Sequence, residues 1–430
     1  MNALLRKEWI VLTLFIFLFI FLRSVQFKYY LNFSGDQATF STKTLEIYRT
    51  HKPVLIGPPI SVNLEGRRIF QGPMIYYELL LFLLLGGFDP IVSSYLFMLF
   101  CAAVIIPLYY GTKLLIGKRP ALLITAIYTL LPYYLDFTRF LWNPTFQLSL
   151  LPFLILLMGL FKKKHNNWIF FAIAVLLGIM FQYHYQFVLV ILGLLAYYAL
   201  FVRVRLSQLG LYFLGVIIGF SPVLLFEVRN HFYNTQTFIL FMRHYSKLDT
   251  PGGTNRGHYF LSISFMMIVL LLGVFNRTIT KIREKQFTAY YLILIVGLIL
   301  WSSFSYFPKP KTAFWAATEN WNYPAEYKVY SIIKKQNLKD YNVSNLGYDT
   351  LATVPKYLLR RDNIKIDYDD YWHEKYLFVI EESKKKDFMS DPAYEVASFR
   401  PYKTLKTWQI NEYYNMYLVE RGVSGETTGR

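Results

Sequence analysis

The residues best suited to proton transfer are the few carboxylates among the first 306 residues, a stretch that is otherwise strongly apolar. Charged groups near lipid are energetically costly and are usually functional. Asp36 lies in the segment NFSGDQATF, where Gly35 permits a turn shortly after the first apolar run. We therefore consider Asp36 a candidate catalytic residue, with a turn or helix-capping aspartate as the alternative. The acids of this stretch are Glu8, Asp36, Glu46, Glu65, Glu78, Asp89, Asp136, Glu227, Asp249 and Glu284.

Arginines in the same stretch could hold a phosphate group. Arg67 and Arg68 are adjacent in a segment rich in Gly and Pro, residues 51–80, which also carries Glu65 and Tyr76. Neighbouring guanidinium groups can form charge-assisted hydrogen bonds with a phosphate, although a basic pair more often contacts anionic lipid headgroups. We predict that packing, and not regular secondary structure, orders this segment.

Three further polar clusters are candidate parts of a site. They lie in the segments FTRFLWNP, FQYHYQF and FEVRNHF, near the ends of apolar runs. Individually such residues are more often interfacial anchors or helix-end caps, but together they could bind a polar headgroup at one membrane face. The candidate residues are Asp136, Arg139, Asn143, Gln182, His184, Glu227, Arg229 and Asn230.

Sequence motifs for several other chemistries are absent. The sequence contains no GxGxxG, P-loop, HExxH or paired CxxC motif. Its single cysteine, Cys101, lies in an apolar run and cannot form a disulfide within the chain. These motifs therefore support neither a metal site nor soluble-nucleotide chemistry.

The elements that must position these residues are membrane helices. The 430 residues are 55% hydrophobic and 19% aromatic but only 17% charged, a balance unlike that of soluble domains. The net charge is +18, yet residues 307–430 carry 19 Lys and Arg against 17 Asp and Glu. Most of the basic excess therefore lies between apolar runs, where it indicates membrane topology and membrane-lipid contact but not nucleic-acid binding.

The apolar runs predict about nine transmembrane helices. Basic clusters separate the runs, and all fit on the cytoplasmic side if the first span is uncleaved and the N-terminus is cytoplasmic. This predicts a multi-pass protein of the cell (plasma) membrane whose candidate site and C-terminal region face away from the cytoplasm. The runs are 9–23, 91–111, 119–135, 145–161, 168–181, 185–202, 207–228, 258–275 and 287–306.

One more apolar stretch, from Met74 to Gly87, is only 14 residues long and contains Glu78. Counting it as a crossing would move the later basic clusters to the outer side. We therefore interpret it as a re-entrant or interfacial helix, with a full span as the alternative. Residues 24–90 then form one long outer loop.

The C-terminal region is predicted to be a folded domain. Residues 1–306 would form the transmembrane module, and residues 307–430 a small extracytoplasmic α+β domain. The periodicity indicates strands and helices in this domain. The predicted strands are 375–382, 393–399, 404–410 and 415–420, and the predicted helices are 324–338 and 351–361.

The order of these segments resembles that of the GT-C membrane glycosyltransferases. An aspartate in SGDQA after the first span is followed by LIGPPIS, QGPMIYYELL, TRFLWNP, FQYHYQF and SPVLLFEVRNHF. The likeness covers about residues 1–310 and is to bacterial and archaeal relatives of protein O-mannosyltransferases and aminoarabinose transferases. It implies a bundle of membrane helices with its active site on the outer face, supplied with a sugar linked to polyprenyl phosphate.

The resemblance also implies roles for individual residues. Asp36 matches the first outer-loop aspartate of the family, the proposed general base. A second acid often follows the arginine of the later block, but here Asn143 stands near that place and Asp136 precedes the arginine. A second acidic role and a divalent metal therefore stay open.

The expected chemistry needs one base. A polyprenyl phosphate leaves as a stable anion, so only the proton of the acceptor hydroxyl must be removed, and the anomeric centre would be inverted. Basic residues would stabilise the developing phosphate charge, and the candidates are Arg67, Arg68, Arg139 and Arg229. The sequence does not identify the acceptor, which could be a glycan, lipid or protein hydroxyl. A lipid or solute transporter and a non-catalytic glycolipid-binding assembly protein remain as alternatives.

Overall fold

The structure is a computed structural model, and it describes most of the chain. The described residues are 3–198, 204–244, 258, 260–279, 284–306, 310, 312, 318–367, 369–385 and 388–422. The chain divides into two compact units. The first unit comprises residues 1–25, 47–86 and 93–308, and the second comprises residues 26–46, 87–92 and 309–430.

The first unit is built mainly from apolar helices. Every predicted apolar run overlaps one helix or two consecutive helices where it is described, and residues 199–202 of the run 185–202 and residue 259 of the run 258–275 lie outside the described part. Short helix α2 and most of α3 belong to the second unit. In chain order the helices are α1 Ala3–Ser24, α2 Phe27–Tyr30, α3 Gly35–Thr50, α4 Met74–Leu85, α5 Pro90–Ala103, α6 Ile105–Ile116, α7 Lys118–Leu130, α8 Pro132–Phe137, α9 Asn143–Lys164, α10 Asn167–Phe181, α11 Val188–Tyr197, α12 Leu206–Gly219, α13 Ser221–Arg229, α14 Tyr233–Arg243, α15 Leu261–Ile279 and α16 Glu284–Tyr306.

Length and composition identify which described helices could cross a bilayer on their own. Two qualify, the continuous stretch Pro90–Ile116 with 27 residues and α9 with 22 residues. A bent pair, α12 and α13, would form one further span with a 69° bend. Helix α4 has 12 residues, about 18 Å of helix against about 30 Å of hydrocarbon. That length agrees with a re-entrant or interfacial helix, and the full span count stays a prediction.

Helices α10 and α12 pack closely because glycines line their contact. A Cβ atom on Gly178 would collide with the carbonyl oxygen of Val216, and one on Gly219 would collide with that of Val175. Small residues allow membrane helices to approach backbone to backbone. This contact fixes the end of α10, from which Gln182 and His184 follow.

A β-hairpin lies in the segment that we predicted to lack regular secondary structure, so that prediction is wrong. Strand β1 spans Pro59–Leu64 and β2 spans Arg67–Phe70. Glu65 and Gly66 at the tip have φ angles of 51° and 82°, as a two-residue hairpin turn requires. Leu64 and Ile69 pack against Phe241 of α14, so tertiary packing holds the hairpin in place.

The second unit contains a four-stranded mixed sheet with the order β3-β4-β6-β5. Strands β3 and β4 are parallel, with Tyr341 opposite Tyr376, and helix α18 lies between them in the chain. The remaining neighbours are antiparallel. The elements are α17 Tyr323–Gln336, β3 Tyr341–Asn345, α18 Thr353–Arg361, β4 Tyr376–Glu382, α19 Tyr394–Ala397, β5 Tyr402–Gln409 and β6 Tyr414–Arg421.

Two predictions for this unit need correction. The predicted strand 393–399 is the short helix α19. Asp391 accepts a hydrogen bond from the Ala393 backbone over 2.9 Å, which starts a turn instead of an extended strand. Strand β3 was not predicted because its buried side chains include Asn342 and Ser344, which hide the usual apolar pattern.

Candidate functional site

Asp36 lies in the first turn of helix α3, with its side chain exposed. Gln37 Oε1 accepts from the Ser34 backbone N–H over 3.1 Å and from the Ser34 hydroxyl over 2.8 Å. This is one half of a capping box, with Ser34 before the helix and Gln37 three residues later. The helix cap thus comes from neighbours of Asp36, while the helix N-terminus favours a negative charge at Asp36.

A buried polar network surrounds Asn143, the first residue of α9. Asn143 Nδ2 lies 3.0 Å from Gln71 Oε1, 3.3 Å from the carbonyl oxygen of Tyr183 and 3.2 Å from His184 Nε2. All of these residues belong to the first unit. The structure therefore brings together two candidates from the sequence, Asn143 and His184, and adds Gln71, which sequence reasoning did not select.

His184 is neutral at pH 7 in this network. Burial, with a smaller contribution from His258, lowers the pKa of its imidazole to about 4. Its Nε2 faces the Asn143 amide, and its Nδ1 lies 3.2 Å from Gln186 Oε1. One neutral tautomer satisfies both contacts, with Nε2 accepting and Nδ1 donating.

Aromatic rings flank the same network. The ring centroids of Trp142 and His258 lie 4.6 Å apart with the rings tilted by 38°, and the ring centroids of His184 and His258 are 6.4 Å apart. His258 is buried. Because it lies far along the chain from Asn143, the sequence did not indicate that it belongs to this network. The network therefore consists of closely packed amide, imidazole and aromatic side chains.

Helix α4 adds a carboxylate to this region. Tyr183 donates a short hydrogen bond from its hydroxyl to Glu78 Oε2. Tyr183 is fully buried and Tyr76, also on α4, is 7% exposed. Because the Tyr183 carbonyl faces Asn143, Glu78 is linked through one residue to the polar network.

Arg139 is fully buried and contacts the end of the first helix. Its Nη2 donates to the carbonyl oxygen of Leu22 over 3.0 Å, and its Nη1 lies 3.6 Å from Asp136 Oδ1. Nearby, Arg23 donates to Thr138 Oγ1 over 2.6 Å and to the Thr129 carbonyl over 2.8 Å. These surroundings favour a role for Arg139 and Asp136 in joining α1 to α8.

The remaining arginine candidates are exposed. Arg67 and Arg68 lie on β2, beside Glu65 at the hairpin tip, and Arg229 lies at the end of α13. Their side chains could reach an anion from solvent or from a membrane surface. Arg67, Arg68 and Arg229 all belong to the first unit.

Glu227 stabilises the start of helix α14. Its Oε1 accepts from the backbone N–H of Asn234 over 2.9 Å, and its Oε2 accepts from the backbone and hydroxyl of Thr235 over 2.9 and 2.6 Å. These groups lie in the first turn of α14, where unpaired N–H groups need acceptors. Glu227 thereby fixes α14, and α14 supports the arginine-bearing hairpin through Asn234 and the Phe70 backbone.

Metal ligands do not cluster in the described part of the chain. No group of three or more His, Cys, Asp or Glu side chains there is arranged to hold a metal ion. The pair His184 and His258 stands without a third such ligand among the described residues.

Residues 71–226 match a family described as dolichyl-phosphate-mannose-protein mannosyltransferase. No curated protein matches this sequence significantly. The fold is similar to that of ArnT from Cupriavidus metallidurans bound to undecaprenyl phosphate, with a TM-score of 0.59 and 11% identity. The same relative in its apo state gives a TM-score of 0.57 at 11% identity.

The two structural matches to ArnT extend over nearly all of both chains. The ArnT comparisons cover 98% of this chain and 99% of the other chain. The predicted resemblance to the GT-C membrane glycosyltransferases is confirmed, and so is a helical membrane fold of that type.

Proposed function

We propose that this protein is a membrane glycosyltransferase that moves a sugar from a polyprenyl-phosphate donor to an acceptor hydroxyl. One observation carries the proposal, which is that the fold matches ArnT across 98% of the chain. That relative was crystallised with undecaprenyl phosphate, a lipid of the proposed donor class. The match of residues 71–226 to a family named for a lipid-phosphate-linked sugar adds independent support.

The proposed reaction is a single displacement at C1 of the sugar. The acceptor oxygen forms a bond to C1 while the bond from C1 to the phosphate oxygen breaks. The bonding electron pair leaves with the polyprenyl phosphate, and a carboxylate takes the acceptor proton. Attack opposite the leaving group inverts the anomeric centre.

Asp36 is the proposed base. Its exposure at the start of α3 allows an acceptor to approach, and the helix N-terminus favours the ionised form that accepts a proton. The capping bonds of Ser34 and Gln37 hold the first turn of this helix. These features support the base role.

Exposed arginines are the proposed phosphate ligands. Arg67, Arg68 and Arg229 have side chains that could meet an anionic leaving group and stabilise its charge. Arg139 is a weaker candidate because it is fully buried against Leu22 and Asp136. Asn143 and His184 are proposed to act as neutral hydrogen-bonding groups toward the donor.

The proposal is tested with Asp36→Asn in proteoliposomes supplied with an undecaprenyl-phosphate-linked sugar and an extract of cell-surface acceptors. We expect transfer to fall about 100-fold or more, the usual contribution of a general base. Glu46→Gln is the matched control, because Glu46 is an exposed acid on the same helix whose ion pair with Lys43, at 3.0 Å, contributes little stability. Wild-type transfer by folded Asp36→Asn would exclude Asp36 as the base.

The acceptor is identified in cells. Mass spectrometry of surface glycans, lipids and proteins from cells with and without this chain should show one sugar modification lost with the chain. Unchanged glycans together with movement of a labelled substrate across proteoliposomes would favour the transporter alternative.

A further inference from the structure

The segment that carries Asp36 belongs to the same compact unit as the C-terminal region. Residues 26–46, 87–92 and 309–430 cluster together, although they are far apart in the chain. Short helix α2 packs against α17 within this unit. The C-terminal region therefore contacts the segment that bears the proposed base.

Phe33 anchors this segment three residues before Asp36. Its ring meets that of Tyr323 edge-on at 5.9 Å and that of Tyr357 at 5.4 Å. Phe33 is 5% exposed, and Tyr323 and Tyr357 are also buried. The backbone that enters α3 is thus held by aromatic residues from α17 and α18.

The first turn of α3 lies against the start of α18. A Cβ atom on Gly35 would lie 3.8 Å from Thr353 Oγ1 and 3.9 Å from Asp349 Oδ2. Asp349 accepts from the Thr353 backbone N–H over 2.8 Å and from the Thr353 hydroxyl. A methyl group fits this gap in ordinary contact, whereas a larger side chain at position 35 would push the two turns apart.

Helix α18 also contacts the second inserted segment. Tyr357 donates from its hydroxyl to the carbonyl oxygen of Phe88 over 2.7 Å. Arg361 Nη1 lies 3.1 Å from Asp89 Oδ2. One buried helix therefore contacts both inserted segments, 26–46 and 87–92.

We propose that α18 is a positioning element for catalysis and that the contact of Phe33 with Tyr357 sets the direction of the Asp36 carboxylate. The proposal rests on the base role of Asp36 in the proposed function. Displacement of a reacting group by about 1 Å can lower a rate about 100-fold. The C-terminal region then acts on the chemical step through the helix that carries the base.

The first test compares Phe33→Leu with Phe388→Leu in the full-length protein. Both phenylalanines are 5% exposed, but Phe388 packs in a different core cluster, between α19 and the sheet. We expect similar decreases in Tm, and a fall in kcat of about tenfold or more only in Phe33→Leu, with donor KM little changed. Equal kcat values for the two variants, measured well below their Tm, would overturn the proposal.

The second test uses the gap at Gly35. Gly35→Ala should retain activity, whereas Gly35→Val should lose kcat because its branches press on Thr353. Adding Thr353→Ala should restore much of the lost kcat in the double variant, which a purely local effect at position 35 would not allow. Lack of rescue, with Thr353→Ala alone active, would contradict a role for α18.

Asp36→Asn separates the failure of this inference from that of the proposed function. An active Asp36→Asn protein would remove the base on which the inference depends. An inactive Asp36→Asn protein with fully active Phe33→Leu and Gly35→Val variants would refute only the positioning role.

Discussion

Two sets of arginines in the first unit have opposite surroundings. Arg23 and Arg139 are fully buried and donate to oxygens at helix ends, whereas Arg67 and Arg68 are exposed on a hairpin. Removing a partner from a buried charge is costly, while an exposed guanidinium can still engage an anion. Burial, and not proximity to a sequence motif, separates the arginines that stabilise the fold from the exposed arginines that are proposed to bind the donor.

Arg139→Met is the most sensitive test of whether the buried arginines stabilise the fold. The substitution leaves Asp136 buried without its cation, so we expect a loss of about 3–5 kcal/mol in the free energy of unfolding. Thermal unfolding of the detergent-solubilised protein measures the effect. The double variant Arg139→Met with Asp136→Leu should recover part of the loss, and an unchanged Tm in the single variant would assign Arg139 to the ligand-binding class.

His184 extends the comparison to another buried basic group. Burial lowers its pKa to about 4 from an ordinary value of 6.5. Because the unfolded chain binds more protons between these values, stability should fall as the pH drops from about 6.5 to 4, by at most about 3 kcal/mol. His184→Gln should flatten the dependence of Tm on pH in this window, and an unchanged slope would refute the buried neutral imidazole.

The exposed arginines should show the smallest energetic effect and the clearest functional one. Arg67→Gln with Arg68→Gln should raise the donor KM about tenfold, equivalent to about 1.4 kcal/mol, without changing Tm. Steady-state transfer kinetics and thermal unfolding of the same preparation provide the two measurements. Glu65→Gln at the hairpin tip is the control, and a lower Tm with normal KM would place this pair with the structural arginines.

The helices were largely predictable from the sequence because long apolar runs leave few alternatives in a membrane. Each predicted run from 9–23 to 287–306 coincides with helix where the structure describes it. The hairpin escaped prediction because its stability comes from the contact of Leu64 and Ile69 with Phe241, which lies far along the chain. A local sequence pattern cannot predict a contact between residues so far apart in the chain.

The candidate site was only partly predictable for the same reason. Asn143 and His184 stood out as polar residues in apolar surroundings, and the structure brings them within 3.2 Å. Gln71 and His258 could not be assigned to them without the fold, because nothing in the sequence relates these distant positions. The role of Asp36 rests on family resemblance and on its place at the start of α3, and it stays a proposal.

The second unit combines segments that are far apart in the chain, and this affects when it can fold during synthesis. The hydroxyl of Tyr357 and the carbonyl of Phe88 that it meets are 269 positions apart, so early and late residues must combine in one fold. Domains usually fold in order of synthesis, but the residues around Phe88 cannot complete this contact until Tyr357 has been synthesised. The segment that carries Asp36 likewise packs on α17 and α18 through Phe33, so it completes its packing only after those two helices have been synthesised.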